Sequence, residues 1–167
     1  CIFITHIHYD HIKGVLEIIE LLEVDTIVLP KVYQDYYIIK MAQKENSSSS
    51  KNYDKKQEED KSVLEYDNSN LVESIFEGGS ELFLFDELIE LVDRFDIELL
   101  FIDEGERIEG ENSKFTCIYP YRGKKYSEHE NKNSLVLLLE LGGVKTLLTG
   151  DVEDKAETWL LNHSIRL

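Results

Sequence analysis

Four residues near the start of the chain, His6, His8, Asp10 and His11, fall within the stretch His6-Ile7-His8-Tyr9-Asp10-His11. Imidazole and carboxylate are the ordinary ligands of zinc and related divalent ions. Alternate side chains of an extended segment point the same way, so His6 and His8 can reach one ion. Asp10 and His11 fall at the turn into a following helix and can face a second. Three of the five histidines sit in this stretch, which chance produces on the order of one time in a thousand or less. The plainer alternative is a polar strand-to-helix loop capped by Asp10, but capping needs one such residue, not four.

A second carboxylate comes from Leu147-Leu148-Thr149-Gly150-Asp151, an apolar strand ending in glycine and an aspartate. Alone, Asp151 reads as an ordinary helix cap. Beside the histidine stretch it gains meaning, because a two-ion site wants a bridging carboxylate. Tyr119-Pro120-Tyr121-Arg122-Gly123-Lys124-Lys125-Tyr126 is the one basic and aromatic cluster. It reads either as a phosphate or nucleotide contact through Arg122 and Lys124, or as a solvated loop.

The elements that must position these residues follow from periodicity. Cys1 to Thr5 is apolar and β-branched, as in a buried strand of an α/β sheet. Ile12 to Val24 reads as a helix with a wide apolar stripe of Val15, Leu16, Ile18, Ile19, Leu21 and Leu22. Asp25 to Pro30 is the next strand, which gives a βαβ unit with parallel pairing. Lys31 to Glu45 reads as a helix packing through Tyr33, Tyr36, Tyr37 and Ile38. Glu81 to Phe95 reads as another, with Leu84, Phe85, Leu88, Leu91, Val92 and Phe95 on one side. Strands are expected at Ile97 to Ile102, Arg107 to Glu109, Lys114 to Tyr119, Leu135 to Leu141 and Val144 to Leu148, with Gly142-Gly143 turning the last hairpin. Asp154 to Asn162 closes as a helix. Residues Asn46 to Asn70 hold almost nothing to bury and read as a disordered insertion within a single domain spanning residues 1–167.

A net charge of −16 argues against a broad nucleic-acid surface, although bound divalent ions would supply positive charge locally. From Glu77 to Glu111 there are 13 acidic residues against Arg94 and Arg107, which reads as a solvated acidic surface. Cys1 and Cys117 form no disulfide framework. No apolar run reaches the ~20 residues of a membrane helix. The chain opens on Cys1, inside a strand, and Met41 is its only methionine, so it reads as a fragment.

An HxHxDH stretch after a buried strand, followed about 140 residues later by an apolar strand ending in Thr149-Gly150-Asp151, resembles the metallo-β-lactamase superfamily. Glu130-Asn131-Lys132-Asn133-Ser134-Leu135, Gly142-Gly143, Gly105-Glu106-Arg107-Ile108 and Tyr119-Pro120 look like the metallo-hydrolase domain of ComEC-type DNA-uptake proteins and their stand-alone relatives. The resemblance covers most of the chain outside the insertion. It implies an α/β fold, the αββα four-layer sandwich, incomplete here at both ends. It implies two divalent ions, zinc or else manganese. His6 and His8 would hold the first, Asp10 and His11 the second, and Asp151 would bridge them. Asp10 would also act on the attacking water as a catalytic residue. Asn131 and Ser134, with Arg122 and Lys124, are the candidate substrate contacts.

Three features depart from the family pattern. Where many members supply a third histidine to the first ion, this chain has Glu130 and Asn131, with His129 out of register. The last family histidine falls beyond Leu167, and His163 reads as a helix-end residue. Gly14-Val15 also replaces a common glycine pair. The reading expected is a metal-dependent phosphodiesterase or nuclease. Alternatives are a lactone, thioester or β-lactam hydrolase, or a metal-stabilised interaction module without catalysis. The substrate expected is a phosphodiester or another small hydrolysable molecule, with nucleic acid among the candidate partners. A stand-alone relative would be cytoplasmic, a ComEC-type one extracytoplasmic.

Overall fold

Apolar residues at helical and strand spacing organise the chain into two sheets with helices packed on them. The computed structural model describes residues 1–49, 82–127 and 129–163. Among these, a parallel sheet has the order β1-β2-β3, made of β1 (Ile2–Phe3), β2 (Thr26–Pro30) and β3 (Glu98–Ile102). An antiparallel sheet has the order β4-β5-β6-β7, made of β4 (Arg107–Glu109), β5 (Ser113–Tyr119), β6 (Val136–Leu141) and β7 (Val144–Leu148). The described α-helices are α1 (Tyr9–Leu21), α2 (Gln34–Ser49), α3 (Leu82–Phe95) and α4 (Asp154–Asn162). The chain is thus mixed α/β, as expected. No described helix is long and apolar enough to cross a membrane.

The parallel sheet advances in one direction from β1 to β3. Right-handed crossovers then place their helices on one face. The packing agrees: Ile27 and Leu29 of β2 join Ile12, Leu16, Tyr36, Phe85 and Leu88 of the helices in one core cluster. Val28, between them on the strand, points the other way. It packs with Ile102, Cys117 and Leu137, so a second cluster fills the space between the sheets. A third joins Tyr119 and Val136 to Ala156, Trp159 and Leu160 of α4. A register shift between Cys117 and Tyr119 lets β5 serve both clusters, because the extra residue turns Tyr119 onto the α4 side.

Several elements differ from expectation. β1 is shorter and half-buried, because it is an edge strand among the described residues. The stripe on α1 is narrower: Ile12, Val15, Leu16 and Ile19 are buried, whereas Ile18, Leu21 and Leu22 face outward. Ile38 and Phe95 are exposed rather than packed. Phe95 is the last residue of α3, where Asp96 takes φ 55 and the Ile97 N–H reaches back to the Val92 carbonyl at 3.0 Å, closing the helix end. Helix α2 extends to Ser49. Residues 50–70 of the expected insertion lie outside the described residues. The Gly142-Gly143 hairpin is present, with both glycines at positive φ as its tight turn requires.

Candidate metal centre

Helix α1 begins at Tyr9, earlier than periodicity suggested, so Asp10 and His11 occupy its first turn. His8 is extended and caps the helix through its carbonyl, which accepts the N–H groups of His11 at 3.0 Å and Ile12 at 2.9 Å. The early start places the carboxylate of Asp10 where the helix dipole favours negative charge. Upstream, Ile7 is buried and its N–H donates to the Tyr33 hydroxyl at 3.2 Å. The Leu135 N–H donates to the Thr5 carbonyl at 2.8 Å. These two bonds fix the backbone on either side of His6.

Three imidazoles converge on this frame. His6 is fully buried, and its Nε2 lies 2.9 Å from His8 Nδ1. The His6 and His11 rings are 4.3 Å apart, centroid to centroid. Asp151 arrives from the turn after β7, its Oδ2 3.2 Å from His11 Nε2. Asp10 Oδ2 lies 3.7 Å from the same nitrogen. One ligand atom each from His6, His11 and Asp151 fall within 4.8 Å of one another, a group that could hold a metal ion. A tetrahedral ion with bonds of ~2.0–2.1 Å holds its ligand atoms roughly 3.3 Å apart. The His6–His8 spacing of 2.9 Å and the His11–Asp151 spacing of 3.2 Å both fall a little short of that value. The same His11–Asp151 spacing is also within hydrogen-bond distance.

Thr5 lies beneath the histidines, and sequence reasoning passed over it. Its Oγ1 is 3.0 Å from His6 Nδ1 and 3.3 Å from His11 Nδ1. A hydroxyl oxygen can accept two N–H bonds. Accepting from both Nδ1 atoms leaves both Nε2 lone pairs facing the cluster, the tautomer a metal needs. Its β-branched side chain marks it as a strand former, which hid this role. Burial, with the charges of His11 and His8 behind it, lowers the His6 pKa to about 4. The ring is therefore neutral at neutral pH, as a ligand must be.

The remaining candidates are dispersed. Ser134 is fully buried, its Oγ 3.5 Å from His6 Nδ1, so it backs the histidine. Asn131 Oδ1 is buried without a hydrogen-bond partner among the described residues. Arg122 is drawn to Asp103 at 3.8 Å and donates to the Glu104 carbonyl. Lys124 donates to Asn133 Oδ1 at 3.2 Å. Asn133, also missed, is buried and ties residues 124–127 to the turn Glu130–Asn133 by exchanging bonds with the Ser127 backbone. His129 is an exposed cap of that turn and His163 caps the end of α4; neither joins the cluster. Asp103, at the end of β3, is buried, and burial raises its pKa against the opposing pull of Lys31.

Compared with known proteins, the chain matches no family model and no curated protein.

Proposed function

We propose that this chain is a metal-dependent hydrolase of phosphodiester bonds, built on the αββα sandwich of the metallo-β-lactamase type. The succession of helices, sheet, sheet and helix through the three core clusters supports the fold. The observation that carries the function is the meeting of His11 and Asp151, 140 residues apart, at 3.2 Å beside His6.

His6, His8, Asp10, His11 and Asp151 would hold two divalent ions, zinc or manganese. When bound, such ions acidify water towards neutral pH and offset charge on phosphoryl oxygens. The chain's own residues do the rest. Thr5 holds the two Nδ1 atoms, and Ser134 closes the space behind His6. The Asp10 side chain is 79% exposed, open to solvent beside His11. It is placed to take a proton from an incoming water. Asp151 sets the spacing of the two halves of the site.

The test is release of nitrophenol from bis(nitrophenyl) phosphate by the protein, beside lactone, thioester and β-lactam substrates, with and without chelator. Turnover of the phosphodiester that chelation abolishes and added zinc or manganese restores is the expected result. Turnover of only another class reassigns the substrate. Metal binding with no turnover of any makes the domain a metal-stabilised module.

A further inference from the structure

Outside the metal cluster, the feature that fits least with the rest of the molecule is a cleft of about 500 Å³ between the Tyr119–Ser127 loop and α4. The chain carries 34 acidic against 18 basic residues. Yet the charged residues lining this cleft are Lys124, Lys125, Lys132 and Lys155, with no carboxylate among the described lining. Three aromatic rings, with Ser127 and Ala156, make up the rest of the wall. Tyr119 and Tyr121 meet Trp159 at ring distances of 5.7 and 5.9 Å, the Tyr121 pair being stacked. Tyr121 is 40% exposed, so its ring offers a face. Lys124 Nζ lies 5.9 Å above the Tyr119 ring.

We infer that this cleft binds a nucleotide unit, its phosphate among the lysines and its base against the Tyr121–Trp159 rings. Lysines supply phosphate attraction and aromatic faces supply base stacking, the pairing used for single strands without sequence readout. An acidic protein repels a polyanion at long range, so contact must be confined to one such patch. The patch has a fixed shape. Asn133 anchors the loop through the Ser127 backbone and accepts from Lys124. The Tyr119 hydroxyl donates to the Lys132 carbonyl at 2.9 Å. Lys125 also lies 3.8 Å from Asp35, an exposed pair that a phosphate can displace. Asn133 adjoins Ser134, which touches His6, so the cleft flanks the metal cluster. The inference names a substrate class for the proposed hydrolase and rests on that reading only for what becomes of the ligand; binding stands apart from it.

Trp159 is the only tryptophan and lines this cleft while stacking on His163 at 4.0 Å, so its fluorescence reports on ligand bound there. The protein, in chelator so that nothing is cleaved, is titrated with a ten-residue deoxythymidine strand and, separately, with thymidine monophosphate. Saturable change in Trp159 emission is expected. For the strand, three or four lysine–phosphate contacts weaken binding roughly 20–50-fold between 50 and 200 mM salt. The double variant Lys125→Glu with Lys155→Glu changes two exposed residues and should bind at least tenfold more weakly, with an unchanged thermal midpoint. Much tighter binding of the strand makes it the ligand; equal affinities make it the free nucleotide, and either supports the site. No saturable change with either ligand, or full affinity in the double variant, overturns it. A failure here leaves phosphodiester turnover untouched, and a failure of turnover leaves this binding untouched.

Discussion

Gly150 packs against Thr5 so closely that a Cβ at position 150 would lie 3.0 Å from Thr5 Cβ and 3.1 Å from its Cγ2. Gly150 also holds φ 55, a conformation that costs other residues about 1–2 kcal/mol. The glycine thus lets the turn bearing Asp151 settle onto the threonine that holds two of the histidines. Gly150→Ala should lower protein stability by about that amount and push Thr5 away from the rings. Zinc affinity, measured by competition with a chromophoric chelator, should fall about 10–100-fold. Unchanged affinity would separate the turn from the site.

Thr5→Val keeps the shape of the side chain and removes its oxygen. Both Nδ1 atoms lose their shared partner, so zinc should bind about tenfold or more weakly. Thr5→Ser restores the oxygen and should recover most of the loss. A valine variant with wild-type affinity would show that the hydroxyl holds neither ring.

Much of this frame is legible in the sequence, for identifiable reasons. Thr26 to Pro30 and Leu82 to Phe95 are found where periodicity puts them, because each buries a continuous apolar face. The ends are harder. The start of α1 at Tyr9 depends on the extended conformation of His8, not on an apolar repeat. Exposure of Leu21 and Leu22 depends on where neighbouring elements stop. The histidine stretch announces itself by composition, and the chain folds so that Asp151 meets it. Thr5 and Asn133 announce nothing, since their roles exist only once distant segments meet. The approach of the Arg122 guanidinium to Asp103 is equally silent in the sequence, since the two meet only in the fold.

Tyr33→Phe tests how the histidine stretch is held from behind. Tyr33 is fully buried, and its hydroxyl accepts the Ile7 N–H. Removing that oxygen leaves the donor buried without its acceptor, which costs about 1–3 kcal/mol. The urea midpoint should fall accordingly, with the slope of the transition unchanged. No shift in the midpoint would mean that the N–H finds another partner.

Acid should act through His6. In the metal-free protein its pKa is about 4 when folded, against 6.5 ordinarily. Between these values the unfolded chain binds the proton and the folded protein does not. Its contribution to stability is therefore whole above about pH 6.5, declines as pH falls and is lost by about pH 4. Urea unfolding of chelator-treated protein at pH 7, 5.5 and 4.5 should show this decline, and His6→Asn should show a shallower one. Identical profiles would place the acid sensitivity elsewhere.

Metal content tests the centre itself, without reference to any substrate. The protein and Asp151→Asn are dialysed against the same low concentration of free zinc, and zinc per chain is measured by mass spectrometry. Asparagine keeps the size of Asp151 but removes the charge expected to bridge two cations. Two ions in the protein and no more than one in the variant is the result the bridging arrangement predicts. Equal zinc in both, or no zinc retained by the protein, would contradict it.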